Sequence, residues 1–331
     1  MKTNSSVLIT GGAGYFGSVL AEDLLNKGYL VNIIDPLWFG NEGIKHLLKT
    51  KKVKLFKGNI SDIEVFKDSI KNVDKVIHLS GLSNDPSCEI NKKATKKINV
   101  KETKLLIDKI NESKKINKLI FASSCSVYGF NEKEILNESS KLNPQSSYAE
   151  SKIESELLIK KNKKKNLKVV CLRKSTLYGF SRRMRFDLVI NIMCAKAFFE
   201  KKIIINGGKQ WRPFLELRDA SKMYNFFLEN DLVNNYEIFN AGFNSENISI
   251  LNLAKKVKKI FKGSVISNSL DMDNRSYKVN FNKIERFINK PEFNIQKGIL
   301  DLKKLFKRGY FKDFKDIKYY NIKKIIQFLN I

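Results

Sequence analysis

The chain has 331 residues, 42% of them apolar and 11% aromatic. That is enough for one large domain, or two sharing a cleft, around a substantial core. Four scattered cysteines (Cys88, Cys125, Cys171, Cys194) form no C-x-x-C, and only His46 and His78 accompany them. A metal site is therefore not expected, and a reducing cytoplasm is. A formal net charge of +28 invites a nucleic-acid reading. However, only nine of the 62 basic residues are arginine, and the wealth of Lys, Asn and Ile reads as AT-rich codon usage. The run Lys160–Lys165 sits at a predicted helix C-terminus, where cations suit the dipole. No apolar run reaches membrane-spanning length, and residues 1–6 lead into a strand without a signal-peptide pattern.

Short apolar runs rich in β-branched residues fall at Val7–Thr10, Leu30–Ile34, Val53–Phe56, Lys75–Leu79, Lys118–Ala122 and Val169–Leu172. They read as strands buried on both faces. Helix-length segments lie between them, including Tyr15–Asn26, Ile63–Lys71, Thr95–Ser113 and Tyr148–Lys163. This alternation implies right-handed crossovers and an α/β, Rossmann-type doubly wound parallel sheet over residues 1–180. Beyond Gly179 the rhythm changes to a basic loop at Arg182–Arg185 and a helix near Leu188–Phe199. Strands near Ile203–Ile205, Phe214–Leu217 and Glu237–Phe239 are expected to return to the sheet within 203–243. The rest of 181–331, with amphipathic stretches such as Gln296–Phe306, is expected to form a smaller mixed α/β substrate lobe.

The run Val7–Gly17 is a strand, a glycine turn and a helix start. Gly11 permits the tight turn, Gly14 lets the backbone approach a pyrophosphate, and Gly17 allows close helix–strand packing. The helix N-terminus at Tyr15 and Phe16 then receives the phosphates. Asp35 ends the second strand, where a carboxylate binds a ribose 2′-OH and repels a 2′-phosphate, so NAD is the expected cofactor. Farther on, Tyr148 and Lys152 stand four apart, on one helix face. An ammonium beside a phenol favours the phenolate, so Tyr148 is expected to serve as a general base.

The G-x-x-G-x-x-G spacing, with Ser124 before Val127-Tyr128-Gly129 and the Tyr148/Lys152 pair, resembles the extended short-chain dehydrogenase/reductases that epimerise or dehydrate nucleotide sugars. The resemblance runs over nearly the whole chain. It implies cofactor roles for Asn59 and Ile60, although the family has an acid where Asn59 stands. It implies the same for Leu79, Ser80, Gly81 and Asn99, and for Lys152 at the nicotinamide ribose. It further implies that Ser124 holds a sugar oxygen while Tyr148 takes its proton as hydride leaves the same carbon. On the same basis the substrate site is expected at Ser83, Ser124, Tyr148, Thr176, Arg185 and Asn191. Arg212 and Arg275 are expected at the diphosphate, although Pro213 and Glu216 depart from the family's Asp and His.

Similar 4,6-dehydratases carry Asp-Glu directly after the catalytic residue, and decarboxylases keep the Glu. Cys125 and Ser126 stand there instead. The expected reaction is therefore oxidation at C4 alone, as in a UDP-glucose 4-epimerase-like enzyme serving surface-polysaccharide sugar synthesis. Alternatives are a 4-dehydrogenase or 4-ketoreductase, then a 4,6-dehydratase, and last a non-catalytic NAD- or nucleic-acid-binding module. Cys125 reads as a buried, inert thiol, and Lys174 as open between contact with substrate or cofactor and a buried stem with a solvated head. Relatives pair helices corresponding to Thr95–Ser113 and Tyr148–Lys163, so a homodimer is expected. Neither nucleic acid nor membrane is an expected partner.

Overall fold

The computed structural model describes residues 5–131, 134–232, 235–269 and 275–329. Asp271–Asn274, which immediately precedes Arg275 in the sequence, lies outside them. Six strands, β1 (Ser6–Thr10), β2 (Leu30–Asp35), β3 (Val53–Lys57), β4 (Lys75–His78), β5 (Lys118–Ser124) and β6 (Lys168–Lys174), build most of a seven-stranded sheet. All its pairings are parallel, in the order β3-β2-β1-β4-β5-β6. The order reverses between β1 and β4, and a crevice opens there at the carboxyl ends of the strands. Apolar side chains cover both faces: Val7, Ile9 and Ile33 belong to one buried cluster, and Leu8, Ile34 and Leu119 to the other. Burial on both faces is why these segments read as apolar runs rather than alternating ones.

Beyond β6, the structure corrects the sequence-based topology. Only Tyr236–Ala241 joins the main sheet, pairing parallel to β6 at its edge. Trp211–Glu216 instead pairs with Thr176–Tyr178 and Asn247–Ser249 in a separate three-stranded sheet. Lys202–Ile205 pairs with Val265–Asn268. An apolar run shows that a strand is buried, but the partner it meets is a non-local choice.

Helix α1 (Tyr15–Asn26) follows the glycine turn. The predicted helix Thr95–Ser113 is interrupted by a π-helical turn at Lys97–Lys101, continuing as α2 (Glu102–Glu112). That turn carries Asn99, whose amide accepts from the Leu82 N–H at 2.8 Å. The same amide donates to the Leu82 carbonyl and to Ser151 Oγ. Helix α3 (Ser147–Asn162) starts where Ser146 Oγ accepts from the Ala149 N–H, which satisfies one of the first-turn donors.

Helix α3 is tied to the sheet by a buried ion pair. Glu156 accepts twice from Arg173, at 3.0 and 2.7 Å, and once from Ser123 Oγ at 2.5 Å. Both charged side chains are 4% exposed. Arg173 also donates to Tyr128 Oη at 3.1 Å, and Tyr128 donates to Asn240. Removing one partner leaves the other charge buried without compensation. Glu156→Ala should therefore cost about 3–5 kcal/mol in urea unfolding. A loss below 1 kcal/mol would show that solvent already screens the pair.

Candidate active site

The crevice above β1 and β4 is lined by Gly11, Gly14, Tyr15, Phe16, Gly17, Asp35, Asn59, Ile60, Leu79, Ser80, Gly81 and Ser83. These are sequence-singled positions, brought to one cavity. The glycines are needed there for steric reasons. Gly11 has φ +73°, and a Cβ on it would lie 2.9 Å from the Ser80 backbone. A Cβ on Gly17 would lie 2.3 Å from the Gly11 carbonyl oxygen. The backbone thus forms a narrow cradle, with the unpaired first-turn N–H groups of α1 at its mouth. Asp35, 8% exposed, accepts from the Ala13 and Leu37 N–H groups at 3.0 and 2.8 Å. Burial raises its pKa, and those two donors partly offset the shift. A carboxylate retains acceptor capacity after two such bonds. The cradle, the carboxylate and the helix terminus fit a dinucleotide.

Several expected contact residues are not on this cavity's wall, and two of them, Asn99 and Asn191, are bonded within the protein. Asn99 spends its amide on Leu82 and Ser151, so it holds the loop after β4 in place. Asn191, expected at the substrate, is 0% exposed. Its Nδ2 donates to Tyr15 Oη and the Arg185 carbonyl, and its Oδ1 accepts from the Gly179 N–H. With three of its hydrogen-bonding valences used inside the protein, it ties the glycine-turn helix to the 179–185 loop. Thr176 pairs with Phe214 in the smaller sheet and is half-buried.

At the inner end, Tyr148 packs against the buried cluster of Leu82, Cys88 and Ile325, of which Leu82 and Ile325 line the cavity. Ser124 is in register with Lys174 across β5 and β6, and Ser126 Oγ donates to Ser124 Oγ at 2.9 Å. Burial pushes the Tyr148 phenol well up, and a hydrogen bond with Ser124 only partly opposes this. Lys152 is 6% exposed, and its Nζ lies 5.1 Å from the Phe121 ring and 5.7 Å from the Tyr148 ring. Burial pulls its pKa down to about 8. Desolvation thus favours the neutral form of both groups in the ligand-free cleft. Cys125, 1% exposed, donates to the Arg173 carbonyl, and burial pushes its thiol up, away from reactivity.

Arg185 lines the cavity while bound to Asp187 through two 2.9 Å bonds, and it donates to Ser83 Oγ at 3.2 Å. Arg212 and Arg275 are brought together, with Arg212 donating to the Arg275 carbonyl and Arg275 paired with Asp85. Neither lines the dinucleotide cavity. Residues that sequence reasoning missed do: Trp38, Phe39, Glu102, Arg183, Asn321 and Ile325. Burial lifts Glu102 to about 7. For Asn321 and Ile325, at the far end of the chain, no local signal exists.

A model of the NAD dependent epimerase/dehydratase family matches residues 7–242. The chain is 31% identical over 274 residues to the dTDP-D-glucose 4,6-dehydratase of Dictyostelium discoideum, covering 77% of this chain but only 62% of that protein. It is 27% identical over 277 residues to the UDP-glucose 4-epimerase of Lactobacillus helveticus, covering 77% of this chain and 82% of the other. It shares its fold with the UDP-glucuronic acid 4-epimerase from Bacillus cereus, solved with UDP-glucuronic acid and NAD. The TM-score is 0.81 at 23% identity, over 91% of this chain and 99% of that one.

Lys174 is a further cation on the cavity wall, its Nζ 5.4 Å from the Phe16 ring. Burial, then Lys152 and Arg185, pull its pKa down to about 7 from an ordinary 10.5. Between those values the unfolded chain binds more protons than the folded one, so stability from this site rises with pH. The stability of wild type relative to Lys174→Met should accordingly increase from about pH 7 to about pH 10 in urea unfolding. A pH-independent difference would mean that the ammonium is solvated.

Proposed function

The chain belongs to the NAD-dependent epimerase/dehydratase family, and we propose that it is a nucleotide-sugar 4-epimerase acting by transient oxidation at C4. One observation carries this reading. Ser124, Tyr148 and Lys152 converge while the two positions after Ser124 offer a hydroxyl and a buried thiol, not carboxylates. An elimination at C5 and C6 needs an acid–base pair that is missing there.

When bound, NAD supplies the hydride acceptor, and its positive charge favours the phenolate that burial alone opposes. Tyr148 then takes the C4 hydroxyl proton, and Ser124, backed by Ser126, holds the same oxygen. Lys152 stays close enough to stabilise the phenolate as it forms. Arg212 and Arg275 suit a nucleotide diphosphate, since planar guanidinium groups make paired contacts to phosphate. Ser83, Thr176 and Arg185 would face the sugar, with residues 181–331 contributing most of the substrate lobe. Four buried free cysteines support a cytoplasmic setting. Leu157, 62% exposed on α3, supports a homodimer formed through that helix. The product would serve surface-polysaccharide synthesis.

NMR of a panel of UDP- and dTDP-sugars incubated with the protein in D₂O tests the reading. Inversion at C4 without solvent deuterium is the expected result. Deuterium at C5 would overturn it in favour of dehydration, and net accumulation of NADH in favour of a dehydrogenase. Tyr148→Phe should lower kcat roughly 10²- to 10⁴-fold while leaving NAD binding intact by calorimetry.

A further inference from the structure

Arg183 has no place in the chemistry above, yet it is 5% exposed on the wall of the dinucleotide cavity. Its guanidinium lies 4.0 Å from the Phe39 ring centroid, and Nη2 donates to Asn321 Oδ1 at 2.5 Å. Nε and Nη1 are buried and meet no acceptor among the described residues. Two bare charged donors in a buried site are costly unless something else supplies their acceptors. The contrast with Arg185, two residues on, is sharp: that guanidinium is neutralised by Asp187 in a two-bond pair. Asp35 and Asp187 favour the Arg183 charge without forming an ion pair with it, and burial with Arg185 nearby pulls its pKa down to about 9.

An anionic ligand completes this group best, and it would lie near the start of α1: the Arg183 N–H donates to Ser181 Oγ, which bonds Ser18 Oγ on α1, and Gly14 and Tyr15 line the same cavity. We propose that Arg183 is a second anchor for the diphosphate of the bound dinucleotide, donating Nε and Nη1 to phosphate oxygens while Asn321 of the C-terminal helix fixes the guanidinium. The inference rests on the family's use of NAD. A 2′-phosphate is the other anion a dinucleotide could bring, but the Asp35 carboxylate on the same wall would repel it. The substrate diphosphate is served elsewhere, since Arg212 and Arg275 meet near Asp85, off this cavity. Asn321 is itself held by its N–H to Asp187 at 3.1 Å and by Nδ2 to Ser83 Oγ at 3.3 Å. The anchor's geometry is therefore set from the far end of the chain.

The test is calorimetric binding of NAD, ADP and adenosine to nucleotide-stripped wild type, Arg183→Met and Arg183→Lys, with ligand-free melting curves for each. Arg183→Met should weaken NAD and ADP roughly ten- to a hundredfold and leave adenosine unchanged. Arg183→Lys should recover part of the loss, because it keeps the charge but not the fork. The ligand-free Tm of Arg183→Met should not fall, since the change removes bare donors. Undiminished NAD affinity in Arg183→Met would overturn the proposal, as would an equal loss for adenosine, a lowered ligand-free Tm with NAD affinity intact, or tighter wild-type binding of NADP than of NAD. Wild type that binds no NAD would instead remove the family-based function, a result distinct from NAD binding that ignores residue 183.

Discussion

The pair formed by Glu156 and Arg173 joins the two halves of the proposed catalytic apparatus. Glu156 lies one turn beyond Lys152 on the helix that carries Tyr148, and Arg173 lies next to Lys174 on β6. The same carboxylate accepts from Ser123, which precedes Ser124 on β5. One buried acid therefore sets the distance between the tyrosine–lysine helix and the serine strand. A pair of this kind adds little net stability compared with apolar packing. What it does provide is directional: three hydrogen bonds allow one rotation of the helix against the sheet, and proton transfer demands that order of precision.

Around that frame the cleft accumulates cations without enough anions to match them. Lys152 and Lys174 are both pulled below their ordinary values by burial, and Arg183 keeps two donors bare. Burial raises the Tyr148 phenol, which likewise favours its neutral form. The lysine shifts are desolvation effects of the sign that a bound anion or a developing phenolate would reverse, and the tyrosine shift is one that a nearby positive charge would reverse. A cleft with this electrostatic character suits a dinucleotide and a nucleotide diphosphate sugar, two ligands that bring their charge with them. The excess of surface lysine, by contrast, is largely paired or solvated and bears on solubility more than on recognition.

The parallel core was legible because strands buried on both faces leave continuous apolar runs, and six of these fell close to their observed bounds. The glycine turn was legible for a different reason. Gly11 and Gly17 occupy positions where a Cβ would strike backbone, so the residue type is dictated locally. Less was legible beyond Gly179. The strands expected near Phe214–Leu217 and Ile203–Ile205 fall largely within Trp211–Glu216 and Lys202–Ile205, yet each of these pairs outside the main sheet. Asn191 and Asn99 are expected at the site from the family resemblance, not from any local spacing. Both in fact spend their bonds on holding loops and helices together.

The sequence by itself determined the residue types of the cofactor cradle, the spacing that aligns Tyr148 with Lys152, and the absence of carboxylates after Ser124. All three depend on neighbours within about a helical turn or a single tight turn, where covalent geometry does the aligning. Only the tertiary structure decided that Asn321, at the start of the last helix, reaches Arg183 and Ser83 at the cavity. It alone decided that Trp38 stacks on Phe328 of that helix, and that burial shifts both Lys152 and Tyr148 toward their neutral forms. Such outcomes turn on burial and on contacts across nearly the full length of the chain, which no local spacing encodes.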